Sequence, residues 1–342
     1  MAKTALVLGG TGQIGYATCA ALTAAGWDVT AAARGRHRPD PPPEATPLVL
    51  DRADDAAVRA AAAGHDLVVD TLAFGPSEAE QLLDLDVGAL VVISTAAVYR
   101  GRNGTYLDVV TGPDSFPDYP VPVGEDWPVV TGDEPTYSPQ KAAMERVLLA
   151  GRTPVSVLRA GAVYGPHNRQ PREWFFVRRA LDRRSHVWLA YDGQSRFHPA
   201  ATANVAALVL ACAERPGTRV LNAADPSCPT EAEIGLAVLA ALDAPVEVRT
   251  FTGPPRDGVG VSPWGNPRPF VLAMDQAVVE VGYVPALSHA EAVAAAARSA
   301  VQAHERAART GRDWRDVFPG LLDWDPERWF DYAAEDAFRP WE

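Results

Sequence analysis

The segment Gly9-Gly10-Thr11-Gly12-Gln13-Ile14-Gly15 places three evenly spaced glycines between an apolar run and a helical pattern. Residues 5–8 predict a buried strand, and residues 14–25 predict a helix. Gly9 permits a tight turn, Gly12 lets a phosphate approach the backbone, and Gly15 lets the helix pack closely on the sheet. We therefore predict a dinucleotide-binding turn that comprises Gly9, Thr11, Gly12, Gln13, Ile14 and Gly15, the alternative being an ordinary glycine-rich turn.

The end of the second predicted strand bears on which dinucleotide binds. An acidic residue that holds the ribose of NAD is expected there, but the chain continues with Arg34 and Arg36 and has no acid before Asp40. Arginine suits a 2′-phosphate, so we predict NAD(P) binding with NADP(H) favoured over NAD(H). The alternative is a solvated basic loop over the adenine. Asp51 is a candidate acceptor for the adenine amino group, or simply an acid at a helix N-terminus.

The first half of the chain alternates short apolar strands with helices. Strands are predicted at 5–8, 29–33, 48–50, 67–69, 90–93 and 155–158, and helices at 14–25, 54–63, 78–85 and 139–150. This order predicts an α/β fold, a Rossmann-type doubly wound parallel sheet, with a smaller, mixed C-terminal substrate-binding domain. Residues 100–136 predict a long surface excursion, and further helices are predicted at 205–214 and 289–306.

Domain boundaries follow from the same pattern. We expect a dinucleotide-binding domain at 1–165, with 196–222 returning to it, and a substrate-binding part at 166–195 and 223–312. Residues 313–342 form a tail rich in acids and tryptophan. The tail is expected to dock on the body; a lid over the cleft or a contact in a homodimer are the alternatives.

Composition excludes several classes of protein. The 342 residues carry a formal net charge of −12, which argues against nucleic acid or a membrane surface as partner. The longest apolar run, 205–213, is far shorter than the ~20 residues that span a bilayer. Cys19, Cys212 and Cys228 form no metal-binding or disulfide pattern. We therefore expect a cytoplasmic protein without a metal, acting on a small molecule.

Tyr137 and Lys141 form a YxxxK pattern, and Lys141 is one of only two lysines in a chain with 31 strong bases. Moving a hydride to or from a carbinol carbon requires a proton to move on its oxygen. A free tyrosine has a pKa near ~10, and a lysine one helical turn away, together with the positive nicotinamide, favours the phenolate. A compact ammonium can also hold ribose hydroxyls, which a planar guanidinium fits less well. The alternative is an exposed lysine beside a packing tyrosine.

Together with the glycine turn, these motifs resemble the extended short-chain dehydrogenase/reductase family, specifically its NAD(P)-dependent epimerase/dehydratase group. The resemblance extends to about residue 300 and also rests on Asp51-Arg52-Ala53-Asp54, Thr71-Leu72-Ala73, Ser94 to Tyr99 and Arg159 to Pro166. It implies Thr95, Tyr137 and Lys141 as catalytic residues, with Ser94 as the fallback for Thr95. It also implies cofactor contacts at Arg52, Leu72 and Ala73.

Two departures from the family pattern matter. Ala96 and Ala97 replace the Asp-Glu pair with which the family's sugar-nucleotide 4,6-dehydratases eliminate water, so standard 4,6-dehydration is not expected. Pro139 lies inside the YxxxK pattern, and proline is tolerated only in a helix's first turn. We therefore predict that this helix begins at Ser138 or Pro139.

Candidate substrate contacts follow residue 165. We predict His167, Arg172, Trp174 and His198, with Ser94 and Ala96 from the loop that leaves the fifth strand. A run of arginines with aromatics could clamp a nucleotide, and an amphipathic helix or a structural histidine are the alternatives. The arginines are Arg169, Arg172, Arg178, Arg179, Arg183 and Arg184.

The predicted function is hydride transfer at a secondary alcohol or ketone of a sugar, sugar nucleotide or nucleoside-like substrate, with tyrosine as acid and base. An NADPH-dependent ketoreductase is the alternative. A non-catalytic dinucleotide-binding or RNA-associated module is less favoured, because the catalytic residues are present and the chain is acidic.

Overall fold

The computed structural model describes residues 2–35, 41–132, 134–324 and 326–340. Within them the strands are β1 (Thr4–Leu8), β2 (Asp28–Ala33), β3 (Thr46–Val49), β4 (Leu67–Asp70), β5 (Ala89–Thr95), β6 (Val155–Ala160), β7 (Ala162–Tyr164), β8 (His186–Leu189), β9 (Pro199–Ala201), β10 (Arg219–Ala223) and β11 (Glu247–Thr250). The helices are α1 (Gln13–Ala24), α2 (Asp55–Ala62), α3 (Pro76–Leu83), α4 (Tyr137–Leu149), α5 (Trp174–Leu181), α6 (Thr202–Glu214), α7 (Glu231–Ala241), α8 (Asp275–Val281), α9 (His289–Ala308), α10 (Trp314–Val317) and α11 (Tyr332–Ala337).

Seven of the strands form one parallel sheet in the order β10-β6-β5-β4-β1-β2-β3. The chain builds outward from β1 in one direction and from β4 in the other, so the crevice between the ends of these two strands is a topological switch point. The Rossmann-type doubly wound fold is therefore confirmed. Because ligands of such sheets bind at the carboxyl ends of the strands, this crevice positions the site.

Alternate residues of each central strand face opposite layers of helices. In β1, Ala5 and Val7 pack in a core with α1 and α6, whereas Leu6 and Leu8 pack in a second core with α2, α3 and α4. This is the burial on both faces that the continuous apolar runs predicted.

A third core lies outside the sheet and unites the smaller part of the molecule with the tail. The pairs β7–β9 and β8–β11 belong to this part, together with α5, α7 and α9. Trp314, Phe318 and Trp329 of the tail are buried in the same core. The tail is therefore docked on its own chain, as expected; Trp341 lies outside the described residues.

Two predicted boundaries were wrong at positions that matter for the site. β5 extends to Thr95, which pairs with Ala160 of β6, so Thr95 ends a strand instead of lying on a loop. Helix α4 begins at Tyr137, because Asp108 accepts hydrogen bonds from the backbone N–H and hydroxyl of Ser138 at 2.7 and 2.6 Å. Pro139 then falls in the first turn, where its missing N–H costs nothing. None of the helices in the described ranges is long and apolar enough to cross a bilayer.

Candidate active site

A cleft of about 540 Å³ opens at the carboxyl ends of β1 and β2. The glycine turn forms its floor, and each glycine has a distinct steric role. Gly9 has φ +84°, and a Cβ there would lie 2.3 Å from the Thr71 hydroxyl. A Cβ on Gly15 would lie 2.1 Å from the carbonyl oxygen of Gly9, so the predicted close packing of helix and turn is present. A Cβ on Gly12 would lie 3.3 Å from the carbonyl oxygen of Gly9, its nearest neighbour. Gly12 itself lines the cleft.

The N-terminus of α1 points its backbone donors at this cleft. Gly12 is the N-cap, no side chain caps the helix, and its first turn has no acid. Thr11 and Gln13 line the cleft beside Gly12, whereas Ile14 packs on the core. Uncapped N–H groups at a helix N-terminus bind anions, and the glycines leave room for one. The residues present therefore fit the diphosphate of a dinucleotide.

The outer end of the cleft holds Arg34, Asp51, Arg52 and Leu72. Arg34 and Asp51 are exposed there, whereas Arg36 lies outside the described residues. The guanidinium of Arg52 is bound to the buried Asp70, with N–O distances of 2.8 and 3.0 Å. Arg52 therefore forms a wall of the cleft with its charge already paired.

Two residues that follow β7 close the cleft from the other side. His167, predicted as a substrate contact, lines the dinucleotide cleft and stacks on Tyr16 of α1 at 4.2 Å between ring centroids. Its left-handed backbone, with φ +63°, turns the chain toward α1. Arg169 lines the cleft beside it. Apart from the run of arginines, the sequence carried no signal that His167 and Arg169 would line this cleft. Their placement depends on how their segment packs against α1.

A second cavity of about 730 Å³ adjoins the dinucleotide cleft, and Gln13 lines both. Thr95, Ala96 and Tyr137 lie on its wall, as the sequence predicted for residues that meet a substrate. Arg172 also lines this cavity. Sequence reasoning missed the other lining residues from distant segments, which are Leu107, Asp108, Asn168, Gln170, Phe197, Phe270, Asp323 and Trp324.

Lys141 lies buried on α4, one helical turn after Tyr137. Its ammonium donates to the backbone carbonyls of Ala73 at 2.7 Å and Ile93 at 2.9 Å. Burial lowers its pKa to about 8, although the nearby carboxylates of Asp70 and Glu145 oppose this shift. Ala73, predicted as a cofactor contact, is fully buried and acts here through its carbonyl. An ammonium has three N–H donors, so one remains for a ligand.

The pKa of the Tyr137 phenol depends on its surroundings in the protein. Desolvation raises this pKa even though the residue is 45% exposed. The hydroxyl of Thr95 lowers this pKa and the carboxylate of Asp108 raises it. Lys141 is not among the described groups that shift this pKa, because its ammonium is directed at two backbone carbonyls. The predicted joint effect of Lys141 and a bound nicotinamide stays a prediction.

Three predicted substrate contacts lie away from the cavity. Ser94 is buried, and its hydroxyl donates to Glu145. Trp174 is fully buried, with Phe318 of the tail 4.9 Å from its ring centroid. His198 accepts from the N–H of Leu272 and contacts the carbonyl of Asp225, both at 2.9 Å. These predictions are corrected: none of the three lines the cavity, because Ser94 and His198 are hydrogen-bonded within the fold and the ring of Trp174 packs against the tail.

The arginine run likewise serves mainly to hold the tail. Arg178 pairs with Asp182 on the same helix. The other pairs reach the tail, from Arg179 to Glu335 and from Arg184 to Asp336. Of the six arginines in the run, only Arg172 lines the second cavity in the part of the chain that the structure describes, whereas Arg169 lines the dinucleotide cleft. The predicted arginine clamp for a nucleotide is therefore not formed.

Comparisons with known proteins agree with this architecture. The model of the NAD dependent epimerase/dehydratase family matches residues 5–224. The WbmH enzyme of Bordetella bronchiseptica, solved with NAD+, has a TM-score of 0.65 at 19% identity over 87% of this chain and 98% of its own. The UDP-glucuronic acid 4-epimerase of Bacillus cereus, solved with UDP-glucuronic acid and NAD, has a TM-score of 0.63 at 16% identity, over 87% and 99%.

A third similar structure is the epimerase Mth375 of Methanothermobacter thermautotrophicus, with a TM-score of 0.65 at 16% identity over 89% of this chain and 94% of its own. The search of curated proteins gives no match. At these identities the structures show the fold, while the family model covers most of the chain. The chain belongs to the NAD-dependent epimerase/dehydratase family and is an enzyme of the extended short-chain dehydrogenase/reductase type.

Proposed function

We propose that this enzyme transfers a hydride at a secondary alcohol or ketone of a polyhydroxylated small molecule, with Tyr137 as general acid and base. The substrate class comprises sugars, sugar nucleotides and nucleoside-like compounds. The observation that carries the proposal is that Thr95 and Tyr137 share a wall of the cavity that adjoins the dinucleotide cleft, with Lys141 buried one helical turn after Tyr137 on α4. When bound, the nicotinamide supplies the hydride acceptor or donor.

The roles of the chain's own residues follow from their chemistry. The hydroxyl of Thr95 holds the substrate oxygen, and that of Tyr137 gives or takes its proton. The free N–H of Lys141 holds a ribose hydroxyl of the cofactor. Asp108 positions Tyr137, because it fixes the start of α4 through Ser138.

The cavity wall bears on which reaction takes place. Ala96 and Ala97 both line the cavity and transfer no proton, which supports epimerisation or reduction over 4,6-dehydration. The raised pKa of Tyr137 favours the protonated phenol, the form that donates to a carbonyl oxygen. The second candidate is an NADPH-dependent ketoreductase, which Arg34 supports because it suits a phosphorylated cofactor. The intact set of Thr95, Tyr137 and Lys141 argues against a non-catalytic module.

Release of bound nucleotide from the purified protein distinguishes the two candidates. Tightly held oxidised cofactor indicates internal redox, as in an epimerase, whereas an empty site that binds and releases cofactor each turnover indicates a reductase. Finding no nucleotide affinity at all contradicts both candidates.

NADP(H) is expected to bind at least about tenfold more tightly than NAD(H), a difference of ~1.4 kcal/mol. This prediction rests on Arg34, which is exposed at the outer end of the cleft where a 2′-phosphate needs a positive charge. Calorimetric titration of Arg34→Asp should show the preference moving toward NAD(H). Arg59→Asp, an equal charge change outside the cleft, is the control. Equal affinities in the unaltered enzyme would contradict the assignment.

Cofactor affinity is also expected to fall as the pH rises through about 8, the pKa of Lys141. Below this pH the ammonium has a third N–H for the ribose. Above it the neutral amine has two, both engaged by Ala73 and Ile93. Fluorescence titrations from about pH 6.5 to about pH 9.5 measure the change. Lys141→Met should remove the step; a step that persists in this variant assigns it to another group.

A further inference from the structure

The guanidinium of Arg172 lies in a set of aromatic rings that we call the aromatic cage. Its centre is 4.9 Å from the ring centroid of Phe197, 5.6 Å from that of Trp264 and 4.5 Å from that of Trp324. Nη1 donates to the backbone carbonyl of Pro263. Cation–π contacts of this kind hold a guanidinium in one orientation. Arg172 is thus fixed by the fold before any ligand arrives.

Within the described residues, the guanidinium of Arg172 forms no ion pair with a carboxylate, and the carbonyl of Pro263 is its hydrogen-bond acceptor. The adjacent buried Glu173 acts on it only through longer-range charge, which favours the cation. Burial lowers its pKa to about 10, so it remains positively charged at neutral pH. A desolvated cation that lines an open cavity is stabilised by an anion from outside the chain.

The other charged side chains described on the wall of the substrate cavity are carboxylates. Asp108 and Asp323 line the described wall with Arg172, and Arg172 is the only lysine or arginine among the lining residues that the structure describes. The neighbouring Arg179 and Arg184 are paired with acids of the tail. A diphosphate in this cavity would meet one cation and two carboxylates, whereas a single oxyanion matches the single guanidinium.

We propose that Arg172 binds one oxyanion of the substrate, a carboxylate or a monophosphate, and that the substrate carries no nucleoside diphosphate. The inference rests on the proposed function and narrows its substrate class to acidic polyols and sugar monophosphates. Trp324 gives the C-terminal tail a part in this site, because it both closes the aromatic cage and lines the cavity. The planar fork of arginine suits bidentate binding of either oxyanion.

The proposal is tested by measuring the affinity of the cofactor-loaded enzyme for five ligands. These are glucuronate, gluconate, glucose 6-phosphate, glucose and UDP-glucose. We expect at least one ligand with a single oxyanion to bind at least about tenfold more tightly than glucose and than UDP-glucose. Comparing glucuronate and gluconate with glucose 6-phosphate then shows whether the site prefers a carboxylate or a monophosphate. Arg172→Met, which keeps the apolar stem in the aromatic cage, should abolish this preference, and Trp324→Leu should weaken it.

Arg178→Gln is the matched control, since Arg178 lies on the adjoining helix, pairs with Asp182 and does not line the cavity. The proposal is overturned if UDP-glucose binds most tightly, if no single-oxyanion ligand binds in an Arg172-dependent way, or if Arg178→Gln has the same effect. Tyr137→Phe separates the two proposals: it should keep the oxyanion preference and lose turnover. Full turnover in this variant would overturn the proposed function and leave the Arg172 site standing.

Discussion

Tyr137→Phe is expected to lower turnover by at least about 100-fold, the lower range for one acid–base group, while cofactor affinity stays near that of the unaltered enzyme. The substitution removes only the phenolic oxygen. The ring remains at the start of α4, and the anchor of that helix, Asp108 on Ser138, is untouched. Turnover on an identified substrate and calorimetric cofactor binding, measured on the same preparation, check both parts of the expectation.

Variants of the neighbouring residues provide the controls. Thr95→Ser keeps the hydroxyl and should be tolerated, whereas Thr95→Val should not. Lys141→Arg should fail despite its retained charge, because a guanidinium is wider than the ammonium that reaches Ala73 and Ile93. Full activity of Tyr137→Phe would show that the proton moves through another group.

Glu335→Leu is expected to lower the free energy of unfolding by about 3 kcal/mol, because it leaves a buried guanidinium without its carboxylate. Arg179 and Glu335 have side chains only 1% and 3% exposed, and their ion pair joins α5 to the tail. Arg179 also donates to the carbonyls of Phe175 and Trp329, so its position depends on tail docking. Chemical denaturation monitored by tryptophan fluorescence measures the change.

The double variant Arg179→Met with Glu335→Leu should recover most of the loss, since both charges are then absent. Asp336→Asn removes the aspartate that pairs with Arg184, and this aspartate is 54% exposed. The change should therefore lower the free energy of unfolding by less than about 1 kcal/mol. If Glu335→Leu were as stable as the unaltered protein, the buried pair would not hold the tail.

The fold and the dinucleotide cleft were predictable because their requirements are local. Close contacts at Gly9 and Gly15 arise within one strand, one turn and one helix, so residue type and spacing were sufficient. The start of α4 was not predictable in this way. Asp108, which fixes it, lies 30 residues upstream in an irregular segment.

The substrate site could not be predicted from the sequence for the same reason, as the side chains on α5 show. Trp174 and Arg179 have the types expected of a nucleotide clamp, yet they face Phe318 and Glu335 of the tail. Arg172, immediately before this helix, instead lines the cavity with Trp324. Nothing in the spacing of these residues distinguishes the two outcomes, because the partner in each case comes from about 150 residues further along the chain.

The sequence by itself determined the alternation of strands and helices behind the doubly wound sheet, the glycine turn at its switch point and the placement of Tyr137 and Lys141 one turn apart on α4. Each of these depends on residue type and spacing within a short segment. The tertiary structure decided the direction of the Tyr137 pKa, the placement of His167 against the dinucleotide cleft and the pairing of the arginines. These properties depend on burial and on charges from distant segments, and burial and distance are defined only once the chain has folded.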